Sequence, residues 1–185
     1  RQTMNKKVNI YSYKGGVGLT SLSGMFAYAT TLMDKNVHLV PFCVEDTQAT
    51  LAYDTTPGIF LADAKAYERD QSGVWIFETH EFDKTADLNV EIITNSYLSL
   101  KRAVQMNQGN NPEYICMYED GATLNMADVT AVIKGEATTK NVYQVMRNAD
   151  IARSLDAGLF VKAYEKTNMG FIAKELWERT TSGIL

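Results

Sequence analysis

Residues 13–21 read Tyr13-Lys14-Gly15-Gly16-Val17-Gly18-Leu19-Thr20-Ser21. Glycines at 15, 16 and 18 let a backbone curl until successive N–H groups point inward, and such a nest attracts anions. The phosphate-binding loop pattern runs glycine, four residues, glycine, lysine, then serine or threonine. Gly18 and Thr20 fall at their places, while Leu19 stands where the lysine belongs. A strand-like run, Lys7-Val8-Asn9-Ile10-Tyr11-Ser12, enters this turn and a helical pattern leaves it. The positive end of a helix dipole therefore falls on the same site. The expected phosphate contacts are Gly15, Gly16, Val17, Gly18, Leu19, Thr20 and Ser21, with the Thr20 hydroxyl placed to meet Mg²⁺. At position 19 an ammonium touches the outer phosphates, and leucine has no donor to offer. Losing one such contact costs on the order of 3 kcal/mol, about a hundredfold in rate. Binding is expected to outlast hydrolysis.

Other chemistries lack their residues. The 185-residue sequence has no Cys-x-x-Cys, His-Glu-x-x-His or Gly-x-Ser-x-Gly. Its two histidines divide in role: His38 lies in a strand, packed or half exposed, and His80 follows Glu78 near the expected pocket. Cys43 and Cys116 sit in apolar runs and read as reduced core residues of a cytoplasmic protein. A net charge of −4 provides no global basic field for nucleic acid or anionic membrane. Lys101, Arg102, Arg147, Arg153, Lys162 and Lys166 read either as a weak DNA-contacting patch or as solvated surface. No run approaches the ~18 apolar residues of a membrane span, and no signal peptide is visible. Residues 169–179 are amphipathic, grouping Phe171, Ile172, Leu176 and Trp177, but Glu175 and Glu178 offset Lys174 and Arg179. A membrane-surface helix wants a basic polar face, so this one is expected to pack on the sheet.

The elements that must hold the loop follow from periodicity. Leu22, Met25, Phe26, Ala29 and Leu32 mark a helix face over 20–33. Further strands are expected at 36–44, 73–77, 90–94, 113–118 and 141–146, six in all with the first. Pro41 removes a ladder donor and places the second strand near an edge or distorts its end. Helices are expected at 59–70, 97–106, 126–133, 149–157 and 168–180. Strands alternating with helices imply a single α/β domain over 4–185, with a mainly parallel twisted sheet and helices on both faces. A ligand then binds at the carboxyl ends of the strands, where residues 13–20 lie.

The string Lys14-Gly15-Gly16-Val17-Gly18-Leu19-Thr20-Ser21 resembles the deviant P-loop of the ParA/MinD family, the partition and cell-positioning ATPases. The resemblance extends in order over about residues 7–160. Asp46-Thr47-Gln48-Ala49-Thr50 is similar to the family's first switch, with Val44 where an earlier Asp stands. Trp75-Ile76-Phe77-Glu78-Thr79-His80 is similar to its second switch, with Glu78 for Asp and His80 for Pro. Residues 96–103 resemble its helix after the fourth strand. The resemblance implies a P-loop NTPase-like fold, ATP or ADP with Mg²⁺, a homodimer, and an adaptor or partition partner. It implies catalytic roles for Lys14, which reaches a partner's phosphates, and Asp46, which orients the attacking water. Metal contacts fall to Thr20 and Glu78. The implied function is partition or positioning of a plasmid, chromosome or other cargo.

Three accounts stay open. Lys14 or another basic residue supplies the missing charge and a slow ATPase survives. Alternatively, nucleotide acts as a switch without turnover. In the third, the domain is an inert scaffold or regulator, for example in conjugative transfer or a larger assembly.

Overall fold

A computed structural model of the chain describes residues 5–33, 36–42, 56–135 and 142–181. The apolar, β-branched runs become seven strands of one sheet, and every pairing is parallel. In chain order the elements are β1 (Lys6–Tyr11), α1 (Leu19–Thr31), β2 (Val37–Val40), β3 (Ile59–Leu61), α2 (Ala64–Arg69), β4 (Val74–Thr79) and β5 (Leu88–Thr94). They continue as α3 (Tyr97–Met106), β6 (Glu113–Tyr118), α4 (Met126–Gly135), β7 (Val142–Met146), α5 (Ala149–Asp156), α6 (Phe160–Glu165) and α7 (Met169–Thr181). The strand order is β3-β2-β4-β1-β5-β6-β7, so β1 and its following loop lie in the middle.

Right-handed crossovers sort the helices by face. The chain moves one way from β1 to β2 and the other way from β5 through β7, which sets α1 and the α3–α4 pair on opposite faces. Both faces are therefore apolar, as buried parallel sheets require. Alternation within β6 makes the division visible: Ile115 and Met117 join Val8, Ile10, Val90 and Phe26 in one cluster. Tyr114 and Cys116 join Leu100, Ala103, Val129 and Ile133 in the other. After β7 the chain returns to the α1 face. Ile172, Leu176 and Trp177 of α7 are buried there, and the Trp177 indole stacks on Phe26 with centroids 5.9 Å apart. Its Nε1–H donates to Thr30 Oγ1 at 2.9 Å.

The expected elements hold with four differences. Residues 59–61 are a strand rather than the start of a helix, because Ile59–Leu61 pairs with Val37–Leu39. The helix waits for Asp63, whose side chain accepts from the Ala66 N–H at 2.8 Å and caps α2. β2 stops at Val40, just before Pro41, and lies second from the edge. Helix α6 forms where none was expected, held by the burial of Phe160 and Ala163. The α7 helix docks on α1, and Phe171 parts from Ile172, Leu176 and Trp177, staying 60% exposed. Among the described residues no helix is long and apolar enough to cross a membrane.

Candidate functional site

The loop after β1 is shaped by two glycines rather than three. Gly16 has φ 74° and Gly18 has φ 91°, both in the left-handed region that side chains resist. Gly15 carries no such angle. A Cβ at Gly18 would also stand 2.8 Å from Met117 Cε of β6, the movable end of that side chain. Gly18 is also the N-cap of α1, and its carbonyl accepts from the Leu22 N–H at 2.9 Å. Val17 between them is buried and pins the loop to the core. Ser12 Oγ donates to the Lys14 carbonyl at 2.5 Å and closes the base of the turn. A Cβ at Gly15 or Gly16 would meet nothing within 4 Å, so the outer side of the loop is open. These are the features of an anion cradle.

The side chains of the loop divide by destination. Leu19, at the lysine position, is half-buried and packs against the main core. Thr20 Oγ1 donates to Glu78 Oε1 at 2.9 Å, and Ser23 Oγ donates to Glu78 Oε2 at 2.8 Å. Glu78, near the carboxyl end of β4, is buried. Its two oxygens thus face two hydroxyls on one side of the first turns of α1. A hydroxyl that donates to a carboxylate keeps its lone pairs for a metal, and Mg²⁺ prefers such hard oxygen ligands. The donor set fits Mg²⁺. Ser21 lies beside them in the first turn of α1.

Lys14 is exposed, and its Nζ donates to Ser99 Oγ of α3 at 3.1 Å. It therefore bonds within its own chain, and with Tyr13, Val17, Glu91, Ser99 and Arg102 it lines a cavity of about 240 Å³. Asp46, the expected water-orienting carboxylate, lies outside the described residues, as do Val44 and Cys43. His80 is exposed and rests against Phe42, ring centroids 3.8 Å apart. His38 stacks on Trp75 at 4.2 Å. Cys116 is a buried free thiol, and burial pushes its pKa up to about 12.

Four contributors were not legible as site residues. Ser23 shares a helix face with Thr20 at i+3, a spacing that points to it once Thr20 is chosen. Met117 closes on Gly18 from a strand that sequence places nearly a hundred residues away. Arg147, read earlier only as a surface cation, donates from Nη2 to the Gly16 carbonyl at 3.1 Å. The fourth is Glu91, a lone acid in the apolar strand β5. Its carboxylate accepts from Asn107 Nδ2, whose own Oδ1 accepts from Tyr11 at 2.8 Å and Tyr13 at 3.2 Å. Burial raises the Glu91 pKa to about 8 against these bonds.

The fold has clear relatives among solved structures. A chain of the MinC:MinD cell division protein complex of Aquifex aeolicus superposes with a TM-score of 0.70 at 13% identity, covering 94% of this chain and 96% of that one. The septum site-determining protein MinD of Pyrococcus horikoshii OT3, complexed with Mg-ADP, gives 0.64 at 11% identity, covering 92% and 93%. A protein assigned to plasmid partition in Borrelia burgdorferi B31, bound to AMPPNP, gives 0.61 at 13% identity, covering 92% and 100%. No family model and no curated protein matches the sequence. At these identities the likeness is one of fold.

Proposed function

We propose that this chain, built on the fold of MinD and the plasmid partition ATPases, is a cytoplasmic nucleotide-controlled switch. In this reading ATP or ADP with Mg²⁺ binds at residues 15–21, and the bound state favours a homodimer that engages an adaptor or partition protein. The work done is positioning or partition of a cargo, with ATP hydrolysis weakened by Leu19. The observation that carries the reading is the Thr20–Glu78 contact of 2.9 Å beside an open glycine cradle. A loop that served only as a turn needs no buried carboxylate aimed at its hydroxyl. Three structural neighbours support it, two of them solved with Mg-ADP and AMPPNP and one in a complex with MinC.

Each residue has a task. The N–H groups around Gly16 and Gly18, with the α1 dipole, bind and orient the phosphates. Thr20 and Glu78 would hold the magnesium ion. The bound ion would neutralise charge on the phosphate oxygens, and the triphosphate would carry the phosphoanhydride bond to be cleaved. Asp46 orients the attacking water, and Lys14, released from Ser99, reaches the phosphates of the partner subunit. The second reading, an inert scaffold, draws on Leu19 packed against the core and Lys14 engaged within its own chain.

Titration calorimetry with Mg-ATP, paired with light scattering, separates the two. Binding with a rise from monomer to dimer mass supports the switch. Absence of heat at millimolar ATP and ADP, with no change in melting temperature, leaves the scaffold.

A further inference from the structure

The cradle has lost the cation at position 19, since Leu19 turns to the core. A second cation stands at the same loop. Arg147 is the first residue after β7, and its N–H donates to the Tyr118 carbonyl at 2.7 Å, continuing the β6–β7 ladder. The backbone beyond it is fixed as well, because Asn148 Oδ1 accepts from the Asp150 N–H at 2.7 Å and caps α5. From this held position the guanidinium reaches the Gly16 carbonyl at 3.1 Å, although 131 residues separate the two. The neighbouring acid, Asp150, is already paired with Arg153. Among the described residues no carboxylate pairs with Arg147.

We infer that Arg147 supplies the positive charge of the phosphate cradle, taking the place that Leu19 vacates, for the diphosphate portion of a nucleoside di- or triphosphate. The inference rests on the nucleotide reading above and deepens it. A guanidinium carries five N–H donors in a planar fork, and one is used on Gly16. The rest remain on an exposed side chain held at the same loop. The fork suits phosphate oxygens better than an ammonium does. Charge enters here from the far end of the sheet rather than from the helix.

The test is calorimetric titration of the full chain with Mg-ADP and Mg-ATP, using R147A, R147Q, R147K and the double variant L19K/R147A. Arg147 is exposed, and the melting temperature of each unliganded variant checks that the fold is kept. The expected result is at least a tenfold loss of affinity in R147A and R147Q, with R147K within about threefold of wild type. Wild-type affinity should also fall more steeply with salt than that of R147Q. L19K/R147A should regain most of the loss, because one cation replaces the other. Wild-type binding that R147A leaves unchanged overturns this inference alone. Full affinity in R147Q overturns it too, reducing Arg147 to a shaper of the loop. A loss that Leu19→Lys does not repair overturns the exchange of roles. No binding by wild type overturns the nucleotide reading and this inference with it.

Discussion

Thr20 Oγ1 lies 2.9 Å from Glu78 Oε1, joining the first turn of α1 to the end of β4 across 58 residues of sequence. The hydroxyl and the carboxylate come from adjacent strands' carboxyl ends, since β1 pairs with β4 along its whole length. Replacing Glu78 with Gln keeps the shape and removes the charge. E78Q is expected to lose the Mg²⁺ enhancement of ATP binding while metal-free binding persists. Titrations with and without magnesium check this. Equal Mg²⁺ effects in both proteins would remove Glu78 from the metal site.

Leu19→Lys restores an ammonium at the helix entrance. Affinity for Mg-ATP should rise at least tenfold, and phosphate release, followed by a coupled assay, should rise with it. The apo protein should lose about 1 kcal/mol, as Leu19 leaves a half-buried site against the core. Chemical denaturation of both proteins measures the second effect.

Gly18→Ala combines a φ of 91° with a Cβ only 2.8 Å from Met117 Cε. The strained backbone alone costs about 1–3 kcal/mol. Adding Met117→Ala relieves the steric part and leaves the conformational part. The double variant should therefore be more stable than the sum of the two single losses, by urea denaturation. Simple additivity would show that the contact is not the limiting strain.

Glu91 makes stability depend on pH. Its folded pKa of about 8 lies above its ordinary value of 4.5, chiefly through burial. Between those values the native state holds a proton that the unfolded chain releases. Stability should be highest below about pH 4.5 as far as this group is concerned, and fall as pH rises to about 8. The slope approaches 1.4 kcal/mol per pH unit within that window. Glu91→Gln keeps a neutral partner for Asn107 and should flatten the curve. Parallel curves for both proteins would place the proton elsewhere.

Trp177→Ala removes both the stack on Phe26 and the bond to Thr30. The expected loss is about 3–5 kcal/mol. Trp177→Phe, which keeps the ring and drops the N–H, should lose far less by thermal unfolding.

Much of this protein was legible along the chain. Glycine spacing at 15–18, opening a helix from a strand, located the turn before α1, and strands alternating with helices foretold a mainly parallel sheet. Thr20 was named from its place in the loop and Glu78 from the resemblance of residues 75–80 to a second switch, although their contact was not. The strand at 59–61 was misread because three residues carry little periodicity, and their pairing with β2 outweighs local propensity. The unexpected α6 is a short helix of the same kind, decided by burial of Phe160.

Sequence by itself determined which backbone could bend and which helix would open at that bend, since φ preference and hydrophobic period are local properties. Only the tertiary structure decided which side chains stand around the loop. Met117 against Gly18, Arg147 at Gly16, and Glu91 within its tyrosines all arise from strand order. In a parallel sheet the carboxyl ends gather at one edge whatever their distance along the chain, and no local pattern records that meeting.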